Sequence, residues 1–201
     1  MKISKQTYRL LSYGTIVLLS FIALIIIYFS PSEKTLGAYV KLIYFHAAFY
    51  WANLAIFASS AMLSMFSKVR DFSRRLYLVG ASGWVVNVAL SALSMKIIWG
   101  AVVFEEPRFR HAVAVLFIII IAVALAYFFK NKNIRSALFS ASVIAVFVFT
   151  FMATNVIHPA GAISGSSSLA IRMMPWLVAF CIFIIGLLIG GLVTSWQKER
   201  R

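Results

Sequence analysis

Six times in 201 residues the chain runs for about 20 residues with scarcely a charge, long enough for a helix to cross about 30 Å of hydrocarbon. These runs fall at roughly 10–29, 39–67, 76–98, 112–129, 136–157 and 169–196. Inside lipid a segment must satisfy its own backbone hydrogen bonds, so helices are the default. A barrel would need short alternating strands, and these runs are continuous. The expected fold is therefore all-α: a polytopic bundle of six transmembrane helices, with residues 1–201 forming a single domain. Composition agrees, at 63% hydrophobic and 12% charged residues with a mean hydropathy of +0.96, where a soluble domain is about half apolar.

The formal net charge is +14. In a soluble protein this would suggest nucleic acid, but loops on the cytoplasmic side of membrane proteins collect Lys and Arg, and no nucleic-acid partner is expected. Most of the 19 basic residues fall in alternate connections: Lys2, Lys5 and Arg9; Lys68, Arg70, Arg74 and Arg75; Lys130, Lys132 and Arg135; Lys198, Arg200 and Arg201. That pattern places both termini in the cytoplasm and turns the loops near 30–38, 99–111 and 158–168 outward, as in a multi-pass protein of the cytoplasmic (inner) membrane. The first apolar run is longer than a signal-peptide core, and no small-residue cleavage site follows it, so it is expected to be retained as a span. Cys181 is the single cysteine, which excludes an internal disulfide, a C-x-x-C redox motif and covalent haem attachment through C-x-x-C-H.

Polar residues in or beside membrane spans are costly, and their positions point to function. His46, His111 and His158 all fall toward the outer side. A buried imidazole with a hydrogen-bond partner is the plainer reading of each; as neutral imidazoles from different helices, two of them can also ligate a haem iron. A zinc site would want more ligands. Around His46 the chain is aromatic, with Tyr44, Phe45, Phe49, Tyr50 and Trp51. These residues suit an interfacial belt, a flat wall for a macrocycle, or both. The first outer loop, from Ser30 to Gly37, reads as a plain turn.

The central loop runs from Trp99 to Arg110 and holds Glu105, Glu106, Arg108 and Arg110. It reads either as a surface ion-pair cluster or as a carboxylate clamp, because a guanidinium fork matches a carboxylate in two-point contact. In the second case the glutamates orient the arginines. Lys96, just below the loop, either snorkels outward or points into a cavity. Asn53, Asn87 and Asn155 are accounted for by interhelical hydrogen bonds, and Met95, Met152, Met173 and Met174 by packing.

Taken together these residues resemble a family. The chain is similar to the haem-handling proteins of cytochrome c biogenesis, the CcmC/CcsA type, and most to the six-span CcmC branch. The segment Leu42-Ile-Tyr-Phe-His46-Ala-Ala48 resembles the family's first histidine segment, Trp99-Gly100 with Glu106-Pro107-Arg108 fits its tryptophan-rich outer motif without gaps, and Asn155-Val-Ile-His158-Pro159 resembles its second histidine. Val103 and Glu105 stand where the motif carries later tryptophans, and Ala47 and Ala48 where the first segment carries proline. The resemblance implies non-covalent haem b at the outer face, with His46 and His158 as axial ligands. Trp99, Gly100, Glu106, Pro107, Arg108 and Arg110 would form the platform. The implied role is presentation of haem to a haem carrier or to the apocytochrome c machinery, beside ABC transporter subunits. The family brings no ATPase of its own, and no G-x-x-x-x-G-K-[ST] phosphate loop occurs here.

The reading that follows is haem binding and delivery during cytochrome c maturation, without enzymatic activity. Its rivals are a permease subunit for another small substrate, which would show polar residues at the bilayer midplane, a two-haem oxidoreductase subunit, and a divergent family member that has lost haem handling.

Overall fold

The computed structural model describes residues 4–152, 163 and 165–199, without the side chains from residue 196 onward. It contains six long helices: α1 (Lys5–Phe29), α2 (Val40–Ser64), α3 (Arg70–Trp99), α4 (Pro107–Phe128), α5 (Lys132–Met152) and α6 (Leu169–Glu199). No strand occurs among the described residues. Each helix is long and apolar enough to cross a membrane. The chain is an all-α bundle of membrane-spanning helices, as the apolar runs require.

The helix starts follow local chemistry. Ser4 caps α1, its hydroxyl accepting from the Thr7 amide at 3.1 Å. Helix α3 starts at Arg70, ahead of its apolar run, and carries Asp71 in its first turn, where a carboxylate suits the helix dipole. Helix α5 likewise starts early, at Lys132. Both extend past the hydrocarbon as polar turns.

Contacts between helices fix which ends lie together. Lys41 on α2 donates to the Tyr28 carbonyl of α1 at 2.5 Å. Val40 and Tyr44 of α2 cluster with Ile171 of α6. His111 on α4 lies 6.5 Å from the Phe149 ring on α5. These define the loop end. At the other end Arg70 of α3 donates to Asn133 of α5 at 2.6 Å, and Tyr8 of α1 reaches Gly191 of α6. This is the basic end, where α1 begins and α6 finishes.

Helices α2 and α3 share the most extensive interface. A Cβ on Gly80 would stand 3.0 Å from Phe57, and one on Gly83 would overlap Asn53 Oδ1. Small residues thus let the two backbones approach closely, the usual device where lipid supplies no hydrophobic drive. An aromatic spine runs through the bundle beside this interface. Trp176 lies 4.9 Å from Trp51, Trp51 5.4 Å from Tyr50, and Tyr50 5.6 Å from Trp84. It continues through Phe57 to Tyr77, which stacks on Phe139 at 4.2 Å. Helix α1 is peripheral. It buries Ser12 and Ala23, and leaves Leu10, Val17, Phe21 and Leu24 exposed, as suits a lipid-facing helix.

Three expectations are corrected. The aromatic residues around His46 do not form one flat wall. Successive helical residues turn by about 100°, so Tyr44 packs toward α6, Phe45 joins the α1–α6 cluster, and Tyr50 meets Trp84. The asparagines also depart from the interhelical pattern. Asn53 donates to its own helix, to the Phe49 carbonyl at 2.8 Å. Asn87, fully buried on α3, has no hydrogen-bond partner for either amide atom among the described residues. Asn155 lies outside the described residues.

The first loop is more than a plain turn. Glu33 and Gly37 form an antiparallel bridge, and the Glu33 carboxylate accepts from the amides of Thr35 (2.8 Å) and Leu36 (2.9 Å). These hydrogen bonds, that from Leu36 foremost, hold the Glu33 pKa below its ordinary value. Gly37 sits at φ 56°, in the left-handed region that glycine adopts without strain.

Candidate functional site

Helix α3 stops at Trp99 because Gly100 takes a left-handed backbone, φ 79°, and donates its amide to the Lys96 carbonyl at 3.0 Å. Helix α4 starts at Pro107, which needs no amide donor in the first turn and is already at a helical φ. The Glu106 carbonyl receives the Arg110 amide at 3.0 Å. Gly100 and Pro107 therefore have complete backbone roles as a helix stop and a helix start. The side chains that remain for a ligand are those of Trp99, Arg108 and Arg110, all exposed.

The two glutamates separate. Glu105 is exposed, while Glu106 is 2% exposed, so the four charged residues of this loop are not one surface cluster. Lys96 is exposed, which matches a snorkelling side chain rather than one in a cavity.

Trp84 sets the depth of these groups. Its indole N–H donates to the Ala112 carbonyl on α4 at 2.9 Å, and its ring lies 5.6 Å from Tyr50 on α2. Tyr50 and Ala112 are thus level with each other. One turn toward the loop end from Tyr50 is His46, and one turn from Ala112 is Arg108. His46 and Arg108 therefore lie on corresponding turns of α2 and α4. The Tyr50 hydroxyl also faces the Thr150 side chain and lies within electrostatic reach of Arg108.

The same contact shows that the loop end is stepped. Helix α3 continues for about 22 Å from Trp84 to Trp99, while Ala112 lies about 8 Å inside α4. Helix α4 therefore starts on the order of 10 Å deeper than the tip of α3. The burial of Glu106 and Phe109 agrees with a recessed start.

His46 is half-buried, about 9 Å from the start of α2 and close to the depth expected from its place in the run. It shares a helix face with Phe49, Tyr50 and Asn53, at offsets of three, four and seven. His158 lies outside the described residues. His111, to which the sequence gave no role, has a defined tautomer. Its Nδ1 lies 2.6 Å from the Pro107 carbonyl, one turn back on α4. A carbonyl only accepts, so Nδ1 carries the hydrogen, which in the neutral ring leaves the lone pair on Nε2. This is the arrangement that orients metal-ligating histidines, with the far ring nitrogen tied to a carbonyl.

Two further residues escaped the sequence reading, Trp84 and Thr150. The available signal for Trp84 was a tryptophan near the middle of a span, because a buried indole N–H needs an acceptor. Thr150 carried no such signal. Among the described residues, no three His, Cys, Asp or Glu side chains gather around one point.

No family model matches the chain, and no curated protein is similar to it.

Proposed function

We propose that this chain binds haem b non-covalently at the loop end of the bundle and presents it at the outer face of the cytoplasmic membrane during cytochrome c maturation. The reading rests on one observation: His46 and Arg108 lie one helical turn toward the loop end from Tyr50 and Ala112, the two residues that Trp84 touches on α2 and α4. A macrocycle with a central metal and carboxylate arms needs that pairing. The imidazole takes the metal, and the guanidinium takes a propionate in a charge-assisted contact. Trp99, exposed at the tip of α3, is available as a wall above.

In this reading Arg110 supports Arg108, and Gly100, Glu106 and Pro107 shape the loop that holds them. The second imidazole comes from His158 or from His111. Recipients would be a haem carrier or apocytochrome c machinery, with ABC transporter subunits as neighbours in the membrane. A second reading, a permease subunit for a small polar substrate, is favoured by Asn87, whose amide is buried without a partner among the described residues.

The test is the visible spectrum of the purified protein after haem addition, beside His46→Ala, His158→Ala, His111→Ala and Arg108→Gln variants. A six-coordinate low-spin Soret band is expected in the parent protein. It should be lost or shifted by His46→Ala and by one of the other two histidine variants. Arg108→Gln should keep the ligation and weaken haem affinity about tenfold. Absence of a Soret band in the parent protein with haem supplied would refute the reading.

A further inference from the structure

The basic end holds a second polar site, remote from the loop end. Between α2, α3 and α5 a cleft is lined by Arg70, Arg74, Lys132 and Arg135, with Asp71 and serines from all three helices, Ser136 among them. The positive-inside rule explains why cations collect at one end of a bundle. It does not explain why four of them, from two helices, line one cleft together with hydroxyl groups.

The local bonds leave donors available. Arg70 uses Nη1 on Asn133 at 2.6 Å and Nε on the Ser64 carbonyl at 3.4 Å. Arg135 uses Nε on the Phe129 carbonyl. A guanidinium has five N–H donors, so each fork is fixed by its stem and retains further N–H groups. Lys132 and Asp71 are 3.7 Å apart and more than half exposed, a pair worth little. Among the described residues the cleft sets one carboxylate, Asp71, against Arg70, Lys132 and Arg135, so it is electropositive. It is further biased by the amino ends of α3 and α5, which begin at Arg70 and Lys132.

We infer that this cleft is a phosphate site, for an oxyanion held by the Arg70 and Arg135 forks with the Ser136 hydroxyl as a further donor. Arginine forks and hydroxyl donors fit a tetrahedral oxyanion. Basic pockets between membrane helices take the headgroups of anionic lipids. The headgroup of an anionic phospholipid and soluble phosphate present the same chemistry here, and the experiment separates them. The site does not depend on the haem reading.

The full chain is placed in nanodiscs containing phosphatidylglycerol and phosphatidylcholine, and the lipid retained after release is counted by native mass spectrometry. In a second arm, inorganic phosphate is titrated into phosphatidylcholine nanodiscs while the unfolding temperature is followed by tryptophan fluorescence. Phosphatidylglycerol should be retained in preference to phosphatidylcholine. Arg70→Gln/Arg135→Gln should reduce that retention about tenfold. Lys68→Gln/Arg75→Gln, which removes two charges from the same end but outside the cleft, should leave it unchanged. Arg70→Lys/Arg135→Lys keeps the charge and loses the forks, so it should give an intermediate value and guards against misfolding of the glutamine variant. If phosphate raises the unfolding temperature of the parent protein, but not of the Arg70→Gln/Arg135→Gln variant, while the two lipids are retained equally, the site stands with a soluble ligand. Equal loss in the two charge-removing variants, or no response in either arm, overturns the proposal.

Discussion

At the basic end, side chains on different helices bond one another. Ser60 on α2 and Ser73 on α3 each donate to the other's carbonyl, at 2.9 and 2.8 Å. Ser64 on α2 shares a 2.8 Å bond with Ser140 on α5, and Tyr77 on α3 shares one of 2.8 Å with Ser142 on α5. Toward the loop end the bonds between helices go to backbone carbonyls: Lys41 reaches Tyr28 on α1 at 2.5 Å and Trp84 reaches Ala112 on α4 at 2.9 Å. Tyr44 reaches the Pro31 carbonyl across one connection at 3.2 Å, and His111 bonds its own helix. The cations differ too: Arg70 and Arg135 are half-buried and tied to neighbours, while Arg108 and Arg110 are exposed. One end is joined by hydroxyl groups shared between helices. The other is a stepped surface set by where helices start and stop.

Five measurements would break or sharpen this contrast. The largest effect should come from between the two ends. Gly83→Leu drives a side chain into Asn53, and a loss of about 3 kcal/mol is expected in reversible unfolding in detergent. A stable Gly83→Leu protein would mean that the serine bonds hold α2 and α3 together without close backbone contact. Asn87→Leu should act in the opposite direction. Replacing a buried amide that has no partner with an apolar group of similar size should stabilise by about 1–2 kcal/mol. Destabilisation there would show that the amide is satisfied in the membrane.

Ser60→Ala and Ser73→Ala should each cost about 1 kcal/mol, because each removes one buried hydroxyl-to-carbonyl bond. Tyr44→Phe at the loop end should cost about 0.5 kcal/mol, the low end for one hydrogen bond. Equal values would erase the difference between the ends. The smallest effect is the pH dependence of the first loop. Glu33 has a lowered pKa when folded, so its contribution is fully present above its ordinary value of 4.5 and is lost as pH falls through the lowered one. Hydrogen exchange at the Leu36 amide should quicken over that acid range and lose its pH dependence in Glu33→Gln. An unchanged pH profile in that variant would remove the carboxylate from the account.

The six helices were legible because a bilayer demands a length of apolar chain, and that length is countable. The depth of His46 was legible for the same reason, since rise per residue converts sequence into distance. The early starts of α3 and α5 were not, because a polar turn beyond the hydrocarbon carries no hydropathy signal. The correspondence between His46 and Arg108 was hidden for a different reason. It passes through Trp84, and no spacing on one helix reports which residue of another lies beside it. Asn53 and Asn87 look alike in the sequence, yet one bonds its own backbone and the other bonds nothing among the described residues. That outcome depends on rotamer and neighbour. The Trp-Gly and Glu-Pro pairs were read as parts of a binding motif. Their backbone conformations give Gly100 and Pro107 sufficient reasons of their own.

The contact between α2 and α3 bears on how the chain enters the bilayer. Helix α2 is the least apolar of the six and also the most enclosed, and α3 is the next least apolar. Each carries a buried asparagine. Inserted alone, either helix would expose an amide to hydrocarbon, at a cost of some kcal/mol. The short connection 65–69 lets the two leave the insertion machinery as one hairpin, with Gly83 already against Asn53. Membrane integration and tertiary assembly are then the same event for these two spans, whereas α1, already apolar on most of its surface, can enter first and wait.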